Sequence, residues 1–572
     1  MPVHNTDVAR IFTQVADLLA IEGANEFRVR AYRDAAQTID QLSRQVADLV
    51  DEGADLTEME GIGDDLAEKI ETIVDTGALP LLDDLQNRTP AALADLMHIE
   101  GLGPKRVRAL HDALGITTRD DLRQAADAGR IREVAGFGEK MEQTILDHIE
   151  QGEEARTLWF HAEPIATSLA DYLAEHEAVG RVEAAGSFRR RKETVGDLDV
   201  LALGEEDAGI MEHFVAYEDV DDVLSQGSTR SSVVLASGMQ VDLRVVPEAS
   251  YGAALLYFTG SKGHNIVLRD RAIDRTLKIN EYGVFDSDDE RVGGATEEEM
   301  YASLDLPLIV PELREQRGEV EAAANDALPA LVEEDDLRGN LHTHTTDSDG
   351  KASIEEMARA AAEQGLDYLA ITDHSSLVGV VQGLDADALR AQIDRIRALD
   401  DELDAPTLLT GIEVDILEDG SLDLPDDVLE TLDVCIAAVH TQLDLSEEEQ
   451  TERILRAMDN PNVHILAHPT GRRLGQRDPY AVDVHRLLEA AAERGCALEL
   501  NAQPERLDLH DVHCKAAKEM GVPIAIGADA HTPGALQYLR FGIAQARRGW
   551  LEADDVVNTR SWDDAKPILE RT

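Results

Sequence analysis

Apolar positions recur at spacings of three and four from Thr6 to about Gln151, as in VARIFTQVADLLAIEG, and alternating β-branched runs are absent there. That periodicity gives each segment one apolar face, so this part of the chain is predicted to be helical. From Leu158 to about Pro311 the pattern changes, with the alternating segments VLALG, SVVLASG and VDLRVV set between helical stretches. A period of two predicts half-buried strands, hence an α+β arrangement. The acidic, Ala-rich run EVEAAANDALPALVEEDDLRG predicts a helix and linker. From Asn340 onward the short apolar runs YLAITDH, LLTGIEVDI, VCIAAVH, VHILAHP, ALELNA and PIAIGADAH alternate with amphipathic helices. This alternation predicts a parallel sheet or βα barrel, whose reactive residues gather at the C-terminal strand ends.

Within the helical part lie three similar phrases: EGIGDDLAEKI with Gly61 and Gly63, EGLGPKRVRAL with Gly101 and Gly103, and AGFGEKMEQTI with Gly136 and Gly138. They are spaced by roughly 40 and 35 residues, the mark of an internal repeat. A glycine pair of this form lets the backbone turn sharply into a helix whose first amides point outward, a seat for a phosphate oxygen. The phrases resemble helix-hairpin-helix motifs, which hold the DNA backbone without reading its sequence.

The segment AGSFRRRKETVGDLDVL places Asp197 and Asp199 two residues apart at a strand entrance, where both project from one face. Asp242, in MQVDLRVV on another alternating strand, is the candidate third carboxylate. Such a trio suits two divalent cations about 4 Å apart, the arrangement in-line phosphoryl transfer requires. Mg²⁺, or Mn²⁺, is the natural ion for oxygen donors. Gly186 and Ser187 followed by the paired aspartates resemble the nucleotidyltransferase superfamily, and the longer match from GSFRRR to GDLDV resembles DNA polymerases of family X. The resemblance implies that Gly186, Ser187, Arg190 and Gly196 contact a triphosphate, while Asp197, Asp199 and Asp242 hold the metals. In LLYFTGSKGHN it implies that Tyr257, Phe258 and Gly260 line the sugar and that Asn265 and Arg269 face the nascent pair or template. RAYRDAA (Arg30 to Ala36) and the first glycine phrase match the family's small N-terminal domain, which makes Lys69 the position of its Schiff-base lysine. Asp64 and Asp65 beside it oppose the lowered pKa such a nucleophile needs, so lyase activity is a secondary and weak expectation. The chain departs from the family at Arg191, where glycine is frequent, at Val195, and at Gln240, where animal members carry arginine.

In NLHTHTTDSDG, His342 and His344 alternate on one strand face and Asp349 follows on the loop. His374, Glu413, His440, His468, Asp529 and His531 then end successive predicted strands. Mixed nitrogen and oxygen donors suit transition metals. The set resembles the polymerase and histidinol phosphatase (PHP) superfamily, which implies up to three Zn²⁺ or Mn²⁺ ions and phosphoester hydrolysis. His464 reads as a buried structural residue, and His513 and Cys514 in a helical stretch have no assigned role.

With 572 residues and 43% apolar composition, the chain should form three or four packed units. The resemblance implies a multidomain α + α/β architecture. Its expected parts are an N-terminal helical domain with the first hairpin (1–80), a helical DNA-binding region with two more hairpins (81–152), and a nucleotidyltransferase α+β palm (153–250). A thumb and nucleotide-selection subdomain (251–320), a linker (321–337) and a distorted (β/α)7 PHP barrel (338–572) complete it. The net charge of −62 is unusual for a nucleic-acid binder. The acid is spread along the whole chain and the basic residues are mostly arginine, a pattern expected in a high-salt cytoplasm, where diffuse repulsion from DNA is screened. Cys435, Cys496 and Cys514 form no CxxC pair, and neither a secretory leader nor a membrane span is apparent. The expectation is a cytoplasmic monomer that fills gapped or nicked DNA from deoxynucleoside triphosphates in base excision repair, with 3′–5′ exonuclease or related phosphoesterase activity in the barrel. A phosphatase acting on small phosphate esters, with a DNA-binding tether, is the alternative.

Overall fold

The computed structural model describes residues 5–571 except 41, 43–45, 60, 91, 100–101, 135, 139–140, 144, 146–155, 207, 377–382 and 404. The chain forms two compact units, Met1–Ala155 and Arg156–Thr572.

The first unit is helical, as its periodicity predicts. Asn5–Glu22 and Glu26–Asp40 pack face to face, with Phe12 and Tyr32 meeting edge-on at 5.5 Å between ring centroids. Val8, Phe12, Val15, Tyr32, Ile39, Ile70 and Ile73 make one core, and Leu93, Val107, Leu110, Leu122 and Ile131 belong to another. Asp64–Thr76 and Pro104–Leu114 both start from a glycine N-cap, Gly63 and Gly103, and both end on a left-handed glycine. Neither N-cap supplies a side-chain oxygen, so the first amides of each helix stay available to an external acceptor.

The second unit opens with a five-stranded sheet. Its order is Arg181–Ala184, Asp197–Leu203, Gln240–Val246, Arg230–Leu235 and Val220–Gln226, and the Asp197–Leu203 and Gln240–Val246 strands run parallel. Two helices, Tyr251–Thr259 and Lys262–Asp274, follow, then a three-stranded sheet of Lys278–Asn280, Gly283–Phe285 and Arg291–Gly293. The segment expected as helix and linker forms a six-residue helix, Glu319–Ala324, and then packs against its neighbours. Val332 is buried in the core of the last region, and its N–H donates to Leu551 at 3.0 Å. The apolar pair Leu331 and Val332 gives this acidic stretch something to bury.

That last region is a seven-stranded parallel sheet in chain order, from Gly339–Asn340 to Ile524–Gly527. The first and last strands meet through the parallel Thr343–Ala530 bridge, which nearly closes a barrel. Its strands read as continuous apolar runs because both faces are buried. Tyr368 and Ala370 point to one core and Leu369 and Ile371 to the other, and Val434, Ile436 and Ala438 alternate in the same way with Cys435 and Ala437. Ser353 and Ser446 open two of the surrounding helices through capping boxes. The three cysteines are buried and unpaired. His464 accepts the N–H of Cys435 at 3.0 Å, tying neighbouring strands together, and burial lowers its pKa to about 4.

Candidate active sites

Parallel pairing of Asp197–Leu203 with Gln240–Val246 sets Asp199 directly beside Asp242, and Asp197 lies two residues earlier on the same face. One oxygen from each of the three lies within 4.8 Å of the others. Gly186, at φ +59°, crosses close to this trio, and a Cβ there would stand 2.6 Å from Asp199 Oδ2. Glycine is therefore required on both counts. Asp242 accepts hydrogen bonds from the Ser232 hydroxyl, from Gln240 Nε2 at 3.3 Å and from Arg230 at 3.3 Å. Burial, then the charges of Asp197 and Asp242, push the Asp199 pKa up to about 7. Three crowded oxygen donors whose mutual repulsion a divalent cation would relieve fit Mg²⁺ or Mn²⁺.

Gly186 and Ser187 form the first turn of the short Gly186–Arg189 helix beside this trio, and Gly196 immediately precedes Asp197. Arg190 Nε donates to Glu315 at 3.0 Å and its NH1 to the Thr259 carbonyl at 2.5 Å. Gly260 brings its backbone against this guanidinium; a Cβ there would sit 3.2 Å from Arg190 NH1. Tyr257, Asn265 and Arg269 line one cavity with Leu256, Ile279 and Met300. Asn265 donates to the Tyr257 carbonyl at 2.8 Å, and Arg269 lies 5.5 Å over the Tyr257 ring. Phe258 meets the Tyr257 ring edge-on at 5.0 Å between centroids and lies under Arg244 at 4.2 Å. Arg191 stands at φ +57°, a left-handed conformation that glycine adopts without strain, and its guanidinium covers Trp159 at 4.3 Å.

In the first unit Gly61 and Gly136 take positive φ, +76° and +93°, which makes the tight entry turn possible. Gly101 lies outside the described residues. The hairpins differ in charge: Asp64 and Asp65 begin the helix after Gly63, whereas Pro104, Lys105 and Arg106 begin the helix after Gly103. Anions favour the second. Lys69 is paired with the Asp65 carboxylate and also donates to the Asp65 carbonyl at 3.0 Å, so a Schiff base there first requires that pair to part.

All nine candidate ligands of the barrel converge at the C-terminal ends of its strands. His344, Asp349, His374 and His531 form one group of donor atoms, His342, His344 and Asp529 a second, and His374, Glu413 and His440 a third. His468 joins through Glu413 at 2.9 Å. His468 and Asp529 hold positive φ values, +26° and +48°, strain of the kind found at functional sites. Nδ1 of His344 is buried without a hydrogen-bond partner and stands 3.7 Å from Asp349 Oδ1, so this nitrogen can serve a metal. Burial alone would lower the pKa of His342, but Glu499, Asp529 and Glu413 outweigh it and hold it well above the usual range. His440 is raised to about 10 against its burial by Glu413 and Asp415, and His531 to about 9 by Asp349 and Asp529. Despite burial, the surrounding histidines keep Glu413 and Asp529 well below the usual carboxylate range. Burial lowers His344 to about 4. Donors of mixed nitrogen and oxygen, several of them shared between groups, fit a cluster of Zn²⁺ or Mn²⁺.

Sequence reasoning did not single out the acids behind these ligands. Glu499 accepts from His342 Nδ1 at 2.6 Å and from the His468 N–H at 2.8 Å, and Asp415 binds His440 Nδ1 at 2.8 Å. Such partners set the tautomer and orientation of ligating imidazoles. Their signal was an acid inside an otherwise apolar strand, ALELNA and GIEVDI.

Residues 3–79 match the helix-hairpin-helix domain family and residues 93–151 the SAM-like helix-hairpin-helix tandem. Residues 254–315 match the DNA polymerase beta thumb, and residues 340–503 the PHP domain. The chain is 37% identical over 574 residues to the DNA polymerase/3′-5′ exonuclease PolX of Bacillus subtilis (strain 168), covering 100% of each. A probable phosphatase of Thermoanaerobacter sp. (strain X514) is 32% identical over 231 residues, 38% of this chain and 89% of its own. One from Caldanaerobacter subterraneus subsp. tengcongensis is 33% identical over 203 residues, 34% of this chain and 75% of its own.

Proposed function

The chain belongs to the family X DNA polymerases that carry a C-terminal PHP domain, and from that premise we propose that it fills short gaps at Asp197, Asp199 and Asp242 and trims 3′ ends in the barrel. It is a DNA-directed DNA polymerase with a 3′–5′ exonuclease. The observation that carries the site assignment is the register that brings Asp199 beside Asp242 with Asp197 in reach. The likeness to phosphatases spans about a third of the chain, whereas the likeness to a polymerase spans all of it, so the phosphatase alternative is not retained.

At the polymerase centre Asp197, Asp199 and Asp242 would hold Mg²⁺ or Mn²⁺, ions that neutralise the triphosphate and lower the pKa of a 3′-hydroxyl. Ser232 and Gln240 orient the Asp242 carboxylate. Gly186, Ser187, Arg190 and Gly196 bind the triphosphate, with Arg190 steadied by Glu315 and Thr259. Tyr257, Phe258 and Gly260 shape the sugar site, while Asn265 and Arg269 approach the nascent pair. Gapped or nicked DNA is held by backbone amides at Gly61, Gly63, Gly103, Gly136 and Gly138, with Gly101 assigned by sequence alone.

In the barrel His342, His344, Asp349, His374, Glu413, His440, His468, Asp529 and His531 would hold up to three Zn²⁺ or Mn²⁺ ions, which supply an activated water and stabilise the leaving oxygen. Glu499 and Asp415 keep His342 and His440 in place. Among the described residues no helix is long and apolar enough to cross a membrane. A monomer working in DNA repair in a salt-rich cytoplasm fits the diffuse acidity.

The test is primer extension on a one-nucleotide-gapped duplex in high KCl with Mg²⁺ or Mn²⁺. Asp242→Ala is expected to lose extension and keep 3′ shortening. His342→Ala combined with His344→Ala is expected to do the reverse. A parent protein that neither extends nor trims under any of these conditions would overturn the reading.

A further inference from the structure

Charge is buried where the polymerase half of the second unit meets the barrel. Arg548, the last residue of the Leu539–Arg548 helix, is 3% exposed. Its NH1 donates to the backbone carbonyl of Arg190 at 2.7 Å and to Glu315 Oε1 at 3.0 Å. Its NH2 pairs with Asp511 Oδ2 at 2.7 Å, at the start of the barrel helix Asp511–Met520. Arg317 meets the same Asp511 oxygen at 3.0 Å.

The Glu315 oxygen that receives Arg548 also receives Arg190 Nε at 3.0 Å. One barrel guanidinium thus fixes both the backbone of Arg190 and the carboxylate that orients its side chain. Asp511, buried and held well below the usual carboxylate range despite that burial by His510, Arg548 and Arg317, anchors the far end. A buried ionic cluster is a poor source of net stability compared with apolar packing, so its placement against Arg190 points to a geometric role.

We propose that Arg548 is a positioning residue for nucleotide binding: from the barrel it clamps Glu315 and the Arg190 backbone, holding the Arg190 guanidinium ready for the triphosphate. The inference rests on the reading that Arg190 contacts the triphosphate. A lysine keeps the charge but lacks the planar fork that reaches a carbonyl and two carboxylates together.

The experiment is steady-state gap filling with the full-length protein, dNTP concentration varied, beside 3′–5′ trimming of single-stranded DNA by the same preparations. Arg548→Lys is expected to raise KM for dNTP about tenfold, a loss of ~1.4 kcal/mol in binding, with kcat and trimming within about twofold of the parent. Glu315→Gln is expected to do the same, and the double variant to be no worse than either single one. Arg190→Lys separates the two ideas. If it leaves KM unchanged, the nucleotide-site reading falls and the clamp with it. If it raises KM while Arg548→Lys does not, only the clamp is overturned. Parallel losses of extension and trimming in Arg548→Lys and Asp511→Asn would mark the cluster as a general element of the fold and also overturn the proposal.

Discussion

The two candidate metal sites proposed for phosphoryl transfer have opposite electrostatics. In the five-stranded sheet, three like charges crowd together and one of them, Asp199, is pushed toward neutrality by burial and by Asp197 and Asp242. In the barrel, carboxylates and imidazoles alternate, so each sign finds the other: Glu413 is depressed while His342, His440 and His531 are raised. The first site is under strain until a cation arrives, which suits ions that travel with a triphosphate. The second is neutralised by its own side chains, which suits resident ions that displace protons on binding.

The largest test of that contrast removes one charge from each site. Asp199→Asn should cut extension, and Glu413→Gln should cut trimming, each by on the order of 10³-fold, while the other activity stays within about twofold. Loss of both activities in either variant would mean that the centres are not separate. Metal-free stability should then move in opposite directions, measured by denaturant unfolding in EDTA. Glu413→Gln leaves buried imidazolium without its partner and should cost about 3–5 kcal/mol. Asp199→Asn relieves repulsion and should gain roughly 1–2 kcal/mol at pH 7.5, allowing for solvent at the rim of the site. The sign follows from linkage. As pH rises from about 4 to about 7 the unfolded chain releases a proton that folded Asp199 keeps, so this group erodes stability over that window and the cost is then constant.

A smaller effect is expected from Glu499→Gln, which leaves every ligand in place but loosens His342. Metal affinity in the trimming assay should fall about 10- to 100-fold, with gap filling unchanged. The pH dependence sharpens the comparison further. Apparent Mg²⁺ affinity in extension should fall about tenfold per unit below pH 7 and level off above it, because Asp199 must lose its proton first. Metal affinity in trimming should keep rising through pH 9, since His531 and His440 still hold protons there. Identical pH profiles would contradict the assigned electrostatics. The smallest effect belongs to Arg191→Gly. Relief of a left-handed arginine, about 1–2 kcal/mol, is offset by loss of its stacking on Trp159, about 0.5–1 kcal/mol, so unfolding free energy should rise by no more than about 1.5 kcal/mol.

Much of the molecule is legible in the chain because its signals are local. A period of two puts Asp197 and Asp199 on one face without reference to anything distant, and the short apolar runs ending in His, Glu or Asp announce a parallel barrel with its donors at one rim. The glycine phrases announce their turns for the same reason, since positive φ at Gly61 and Gly136 is a property of the residue itself. Glu499 and Asp415 were not legible as partners, because an acid inside an apolar strand reads alike whether it meets an imidazole or water. The Asp65 pairing that occupies Lys69 depended on rotamers that no spacing encodes.

By itself, then, the sequence determined the helical repeats, the strand faces, the order of the donors and the two chemistries they suit. Only the tertiary structure decided that Asp242 lies against Asp199, that nine candidate ligands from six strand ends share one rim, and that Arg548 of the barrel grips Glu315 and Arg190. Periodicity specifies which side chains share a face of one element; which elements then meet, and in what register, is settled by burying apolar surface across long stretches of chain.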